Sequence, residues 1–103
     1  MIVFKHIKDI DNQVKRLKKQ GHNIGFIPTM GALHKGHISL ISASCKKNDI
    51  TVCSIFINPT QFNDKADFEK YPVTIDNDID MLINAGCDIL FLPSVKEMYP
   101  RGF

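Results

Sequence analysis

Short apolar runs alternate along this chain with stretches whose apolar residues recur every three or four positions. The runs occupy residues 24–28, 50–57 and 88–92, and residues 1–4 are a shorter fourth candidate. The 50–57 run is rich in β-branched residues and almost continuous in apolarity, the pattern of a strand covered on both faces. Ile7, Ile10, Val14 and Leu17 have helical spacing, with Lys15, Arg16, Lys18 and Lys19 on or near the exposed side and Gly21 as a stop. A second helix is predicted over residues 36–47, with Ile38, Ile41 and Cys45 inward. A third begins with Thr74 as N-cap, and Asp76 and Asp78 complement its positive end. Its stripe is Ile75, Ile79, Leu82 and Ile83, and Gly86 ends it. Ser94 followed three residues later by Glu97 fits a capping box.

Strand–helix alternation of this kind predicts an α/β fold, a parallel sheet with right-handed crossovers flanked by helices. No internal repeat, low-complexity tract or linker interrupts it. The longest stretch predicted as irregular, residues 58–72, is polar and turn-rich enough to border a site.

At 103 residues the chain fits one domain with a modest core. Its net charge of +2 is too small to argue for a nucleic-acid or membrane partner. No apolar run approaches the ~20 residues of a membrane span, and the N-terminus lacks the apolar core of a signal peptide. Cys45, Cys53 and Cys87 show no Cys-x-x-Cys spacing, so they read as buried free thiols in a reducing, cytoplasmic compartment.

The candidate chemistry collects after two of the strands, where open parallel sheets bind ligands. Residues 26–37 read Phe-Ile-Pro-Thr-Met-Gly-Ala-Leu-His-Lys-Gly-His: an apolar run, a glycine-punctuated turn, then His34 and His37 where a helix begins. A helix start suits anions, and imidazoles there add donors near neutral pH. The histidine pair is open to three readings: helix capping, phosphate contact, or two ligands of a metal that has no evident third. The Walker lysine loop and the Gly-x-Gly-x-x-Gly fingerprint are both absent. Met30 reads equally as a wall for an apolar ligand group or as core, and Lys35 as a solvated loop lysine. Asn58 and Gln61 follow the 50–57 run as neutral donors and acceptors, or as turn and surface residues.

Residues 28–37, Pro-Thr-Met-Gly-Ala-Leu-His-Lys-Gly-His, resemble the signature of the pantoate–β-alanine ligase (pantothenate synthetase) family. The resemblance continues through residues 54–62 (Ser-Ile-Phe-Ile-Asn-Pro-Thr-Gln-Phe), Tyr71-Pro72 and residues 91–100, and so covers nearly the whole chain. The histidine motif by itself points only to the wider His-x-Gly-His nucleotidyltransferase superfamily.

The resemblance implies a Rossmann-like domain of nucleotidyltransferase type. It also implies ATP-dependent condensation of pantoate with β-alanine through pantoyl adenylate, releasing AMP and pyrophosphate. On matching positions, Met30, Gly31, Ala32, Leu33, His34, Lys35, Gly36 and His37 would bind ATP. His37 would be catalytic, with His34 assisting; Gln61 would contact pantoate and border β-alanine, and Pro28 and Asn58 are weaker candidates for that pocket. ATP would be a substrate accompanied by Mg²⁺, with no protein-bound metal and no tightly bound cofactor. Pantoate, β-alanine and ATP would be the partners, in a cytoplasmic homodimer. Val73 stands where the family commonly has arginine, which removes an ionic role at that position. The family continues well past residue 103, so residues 1–103 are expected to be the N-terminal part of a larger ATP- and pantoate-binding domain. Two alternatives remain: another nucleotidyltransferase of the same superfamily, which the Asn-Pro-x-Gln-Phe segment argues against, and a binding piece without catalysis.

Overall fold

A computed structural model describes residues 1–102. Four strands, β1 (Ile2–Phe4), β2 (Ile24–Thr29), β3 (Ile50–Ile55) and β4 (Ile89–Phe91), form one sheet in the order β1-β4-β3-β2. All three pairings are parallel, as the alternating pattern requires, with Ile27 opposite Cys53 and Cys53 opposite Leu90. The main helices are α1 (Ile7–Lys19), α2 (Lys35–Lys47) and α4 (Ile75–Ala85).

The side-chain period of two divides each strand between the two faces of the sheet. Ile27, Cys53, Ile55 and Leu90 point into a core closed by Ile41 of α2 and Leu82 of α4. Phe26, Val52 and Phe91 face the other way and share a groove with Ile7, Ile10 and Val14 of α1. That face is thinly covered: α1 contains no buried residue, and Phe26 remains 59% exposed. Every residue of β3 after Ile50 is buried, which accounts for its unbroken apolar character.

Several expectations require correction. The strand predicted over residues 50–57 ends at Ile55: Phe56 N–H still donates to Thr29 O, at 3.0 Å, and the chain then leaves the sheet. Residues 58–72 are not irregular throughout. They contain a 3-10 turn, Pro59–Gln61, and a short helix α3, Lys65–Lys70. A six-residue helix is too short to show a period. It is started by the Asp64 carboxylate accepting from Ala66 N–H at 2.9 Å. It is held by Phe62, whose ring meets Phe68 and Tyr71 edge-on at 5.5 and 5.7 Å.

Cys45 is exposed, not inward. It lies at the margin of the α2–α4 contact, with Sγ 3.5 Å from Gly86 O, while Ile41 alone of α2 is buried. Cys53 and Cys87 are buried, and burial raises their thiols to about 12 and about 11, so both are inert at neutral pH. Ile83 is 52% exposed and leaves the α4 stripe to Ile75, Ile79 and Leu82.

The box at Ser94 is half formed, opening helix α5 (Val95–Met98). Ser94 Oγ accepts from Glu97 N–H at 3.0 Å, but the Glu97 carboxylate turns away. It accepts from Ile7 N–H at 2.9 Å and lies 3.1 Å from His6 Nδ1, tying α5 to the start of α1.

Candidate active site

β2, β3 and β4 all run toward one edge of the sheet, and the loops beyond their carboxyl ends enclose a cavity of about 720 Å³. The first wall is the turn from β2 into α2. Thr29 Oγ1 donates to Ser54 O at 2.9 Å and accepts from Gly31 N–H at 3.2 Å, folding the chain back as the strand ends. Gly31 and Ala32 then take successive left-handed conformations, with φ of +80° and +49°. Glycine adopts that geometry freely; for alanine it costs roughly 1–3 kcal/mol. The Asp78 carboxylate offsets the cost. It is wholly buried and accepts Ala32 N–H on Oδ2 and Leu33 N–H on Oδ1, both at 3.0 Å.

His34 follows as the N-cap of α2, in extended conformation. Its Nδ1 accepts from Gly36 N–H at 3.0 Å, and His37 Nδ1 accepts from His34 N–H at 3.1 Å, so the two imidazoles form a reciprocal capping box. The rings lie 4.0 Å apart at 39°. Gly36 makes room for this arrangement, since a Cβ there would sit 2.8 Å from His34 Cε1.

A nitrogen that accepts a hydrogen bond carries no proton. Nδ1 of each ring is placed as the acceptor, which leaves Nε2–H as the donor at the amino end of a helix. Burial holds the His37 pKa below the ordinary imidazole value, neighbouring His34 lowers it further, and Asp78 acts weakly in the other direction. The capping reading and the phosphate reading thus describe different nitrogens of the same rings.

Protonating His37 would place Nδ1–H against His34 N–H and open the cap. Because the folded pKa lies below the unfolded one, the cap stabilises the fold above the unfolded value of about 6.5 and loses that contribution as pH falls through the lower, folded value. A titration of the ring signals should show His37 protonating at lower pH than a free imidazole. Protonation at higher pH would contradict this geometry.

The facing wall comes from the segment after β3. Asn58 Oδ1 accepts from Thr60 N–H at 3.0 Å, Thr60 Oγ1 at 2.7 Å and Tyr99 OH at 3.0 Å. With its oxygen so engaged, the amide keeps its Nδ2 hydrogens as the donors left for a ligand. Gln61 closes the 3-10 turn beside it.

Of the sequence-predicted residues, Pro28, Met30, Gly31, Ala32, His34, His37, Asn58 and Gln61 line one cavity. Leu33, Lys35 and Gly36 lie outside its lining: Leu33 is in the core, Lys35 is exposed on the first turn of α2, and Gly36 lies under the His34 ring. Phe56, Tyr71, Phe91 and Met98 also line it, although sequence reasoning did not single them out for the site. Asp78 and Tyr99 act one step behind the lining. Asp78 in particular was legible only as an acid favouring its own helix terminus. Among the described residues, no Lys, Arg, Asp or Glu lines the cavity, and no group of three or more His, Cys, Asp or Glu is placed to hold a metal ion. No helix among them is long and apolar enough to cross a membrane.

The structure is a parallel α/β sheet of Rossmann-like type with a histidine pair on a helix start at its carboxyl edge. The family model for pantoate-beta-alanine ligase matches residues 2–102, and the chain belongs to that family. It is 52% identical to a pantothenate synthetase of Bacteroides fragilis over 101 residues, which is 98% of this chain and 36% of that protein. It is 48% identical to one of Caldicellulosiruptor saccharolyticus over 103 residues, 100% of this chain and 37% of that protein.

The crystal structure of pantoate-beta-alanine ligase from Francisella tularensis, complexed with beta-gamma ATP and beta-alanine, matches with a TM-score of 0.92 and 48% identity. That match covers 99% of this chain and 39% of the other. Pantothenate synthetase from Thermus thermophilus matches with a TM-score of 0.81 and 38% identity, over 100% of this chain and 36% of the other. The chain therefore spans little more than a third of the length of these relatives.

Proposed function

We propose that this chain forms the ATP- and pantoate-facing part of the Rossmann-like domain of a cytoplasmic, homodimeric pantoate–β-alanine ligase. The observation that carries the reading is the convergence, in one cavity, of the His34–His37 pair at the α2 amino end with the Asn58 and Gln61 amides opposite. Its volume of about 720 Å³ falls within the ~300–1,000 Å³ usual for small-molecule sites. Beta-gamma ATP and beta-alanine are the ligands of the Francisella tularensis structure.

In this reading the triphosphate of ATP, accompanied by Mg²⁺, lies against the first turn of α2, with His37 as the catalytic donor and His34 beside it. Pantoate occupies the Gln61 side, with Asn58 and Pro28 contributing. Its carboxylate is ionised at neutral pH and needs no general base. It attacks the α-phosphorus, the bond to the bridging oxygen breaks, and pyrophosphate leaves with the electron pair.

Charge then grows on phosphate oxygens, where fixed Nε2–H donors and the helix terminus act most strongly. A neutral Gln61 can orient pantoate without lowering the nucleophilicity of its carboxylate, as a close lysine would. The β-alanine amine next attacks the activated acyl carbon, releasing AMP and forming pantothenate. No enzyme nucleophile is needed, and the buried thiols of Cys53 and Cys87 have no part.

Isotope exchange between ATP and pyrophosphate tests the first step in a full-length ligase containing this chain. Exchange should depend on pantoate and not on β-alanine. Exchange driven instead by a different acceptor would move the chain to another nucleotidyltransferase reaction, and no exchange with any acceptor would make it a binding piece.

A further inference from the structure

Asp78 is a wholly buried carboxylate, and the reaction described above does not use it. It sits on α4, whereas both backbone donors it accepts belong to the turn before α2, more than forty residues earlier: Ala32 N–H on Oδ2 and Leu33 N–H on Oδ1, each at 3.0 Å. Thr74 Oγ1 adds a third donor to Oδ2 at 3.2 Å. Burying a charged group is costly unless it is fully hydrogen-bonded, and here both oxygens are engaged. The gain is rigidity at one place. Ala32 is held at φ +49°, and the next two residues are Leu33 and His34, the N-cap whose backbone N–H fixes the ring of His37. A Cβ on Gly31 would lie 3.2 Å from Asp78 Oδ2, so the turn is seated directly on the carboxylate.

We propose that Asp78 is a positioning residue which, through the backbone of Ala32 and Leu33, holds His34 and His37 in the Nε2–H form required for phosphate contact. It touches no substrate; it couples α4 to the start of α2. The proposal rests on the ligase reading for its consequence, but its structural half can be measured without turnover.

The test uses a full-length ligase containing this chain, with ¹⁵N-labelled histidine. Asp78→Asn keeps the shape but sets an amide NH₂ against one of the two backbone N–H groups, donor to donor. Wild type should show both rings as the Nε2–H tautomer, and Asp78→Asn should show averaging between tautomers at His34 and His37 while His6 and His22 are unchanged. The kcat for pantoate-dependent ATP–pyrophosphate exchange should fall about 10²-fold, with KM for pantoate within about twofold. Unchanged tautomers in a folded Asp78→Asn protein would overturn the proposal, as would a normal kcat.

If Asp78→Asn does not fold, replacing Leu33 by its α-hydroxy acid removes only the N–H that donates to Oδ1. The same two readouts then decide. If wild type shows no pantoate-dependent exchange, the ligase reading fails on its own, and the ring tautomers still judge the role of Asp78.

Discussion

Replacing His37 by alanine in a full-length ligase containing this chain should lower turnover about 10²- to 10³-fold at saturating substrates, the usual effect of deleting one donor to developing charge. The fold should barely notice. His37 lies on the first turn of α2 and is only half-buried, and its structural task is to accept one backbone N–H from His34. Losing such a cap costs about 0.5–2 kcal/mol, and here water can reach the freed N–H. The measurement pairs kcat for pantothenate formation with a denaturation midpoint. A loss in kcat of tenfold or less with the midpoint preserved would remove His37 from the catalytic role. His37→Gln sharpens the comparison, because an amide can keep either the cap or an outward donor, but not both in the imidazole geometry.

The second large effect concerns the 103-residue chain by itself, which should make pantothenate at least about 10³-fold more slowly than a full-length ligase containing it. The reason is charge. A triphosphate carries several negative charges, and among the described residues the lining of the cavity has no lysine or arginine to meet them. The nearest candidate in the motif, Lys35, is exposed outside the lining. Two Nε2–H donors and a helix terminus can orient phosphate but cannot neutralise it, so on the ligase reading charge beyond that of Mg²⁺ would be met by groups outside this chain. Incorporation of labelled β-alanine into pantothenate measures this directly. Adenylate formation by the purified chain at a rate near that of a full-length ligase would show that the cavity needs no second wall.

The outline of the fold was legible because its signals are local. Continuous apolarity over β3 reports a strand buried on both faces, and the spacing of Ile75, Ile79 and Leu82 reports one face of α4. The Gly31 turn and the two histidines mark a helix start for the same reason: caps and left-handed residues are chosen within a few positions of where they act. The errors fell where long-range contacts override local pattern. Ile83 fits the stripe of α4 by spacing but stays 52% exposed, and Cys45 fits α2 but lies exposed with its Sγ against the end of α4. α3 exists because Phe62, Phe68 and Tyr71 gather around it, a cluster that no helical period announces.

The sequence by itself determined that two strands end in polar, ligand-ready segments, and the motif resemblance determined which family to expect. Only the tertiary structure decided that these segments face one another across a single cavity, because strand order is a property of pairing and not of any one run. It also decided which nitrogen of each imidazole is free, since that depends on backbone donors reaching Nδ1. And it converted Asp78 from a helix-end acid into the support of a distant turn, a role that burial and a 3.0 Å approach across the fold create and that sequence spacing cannot express.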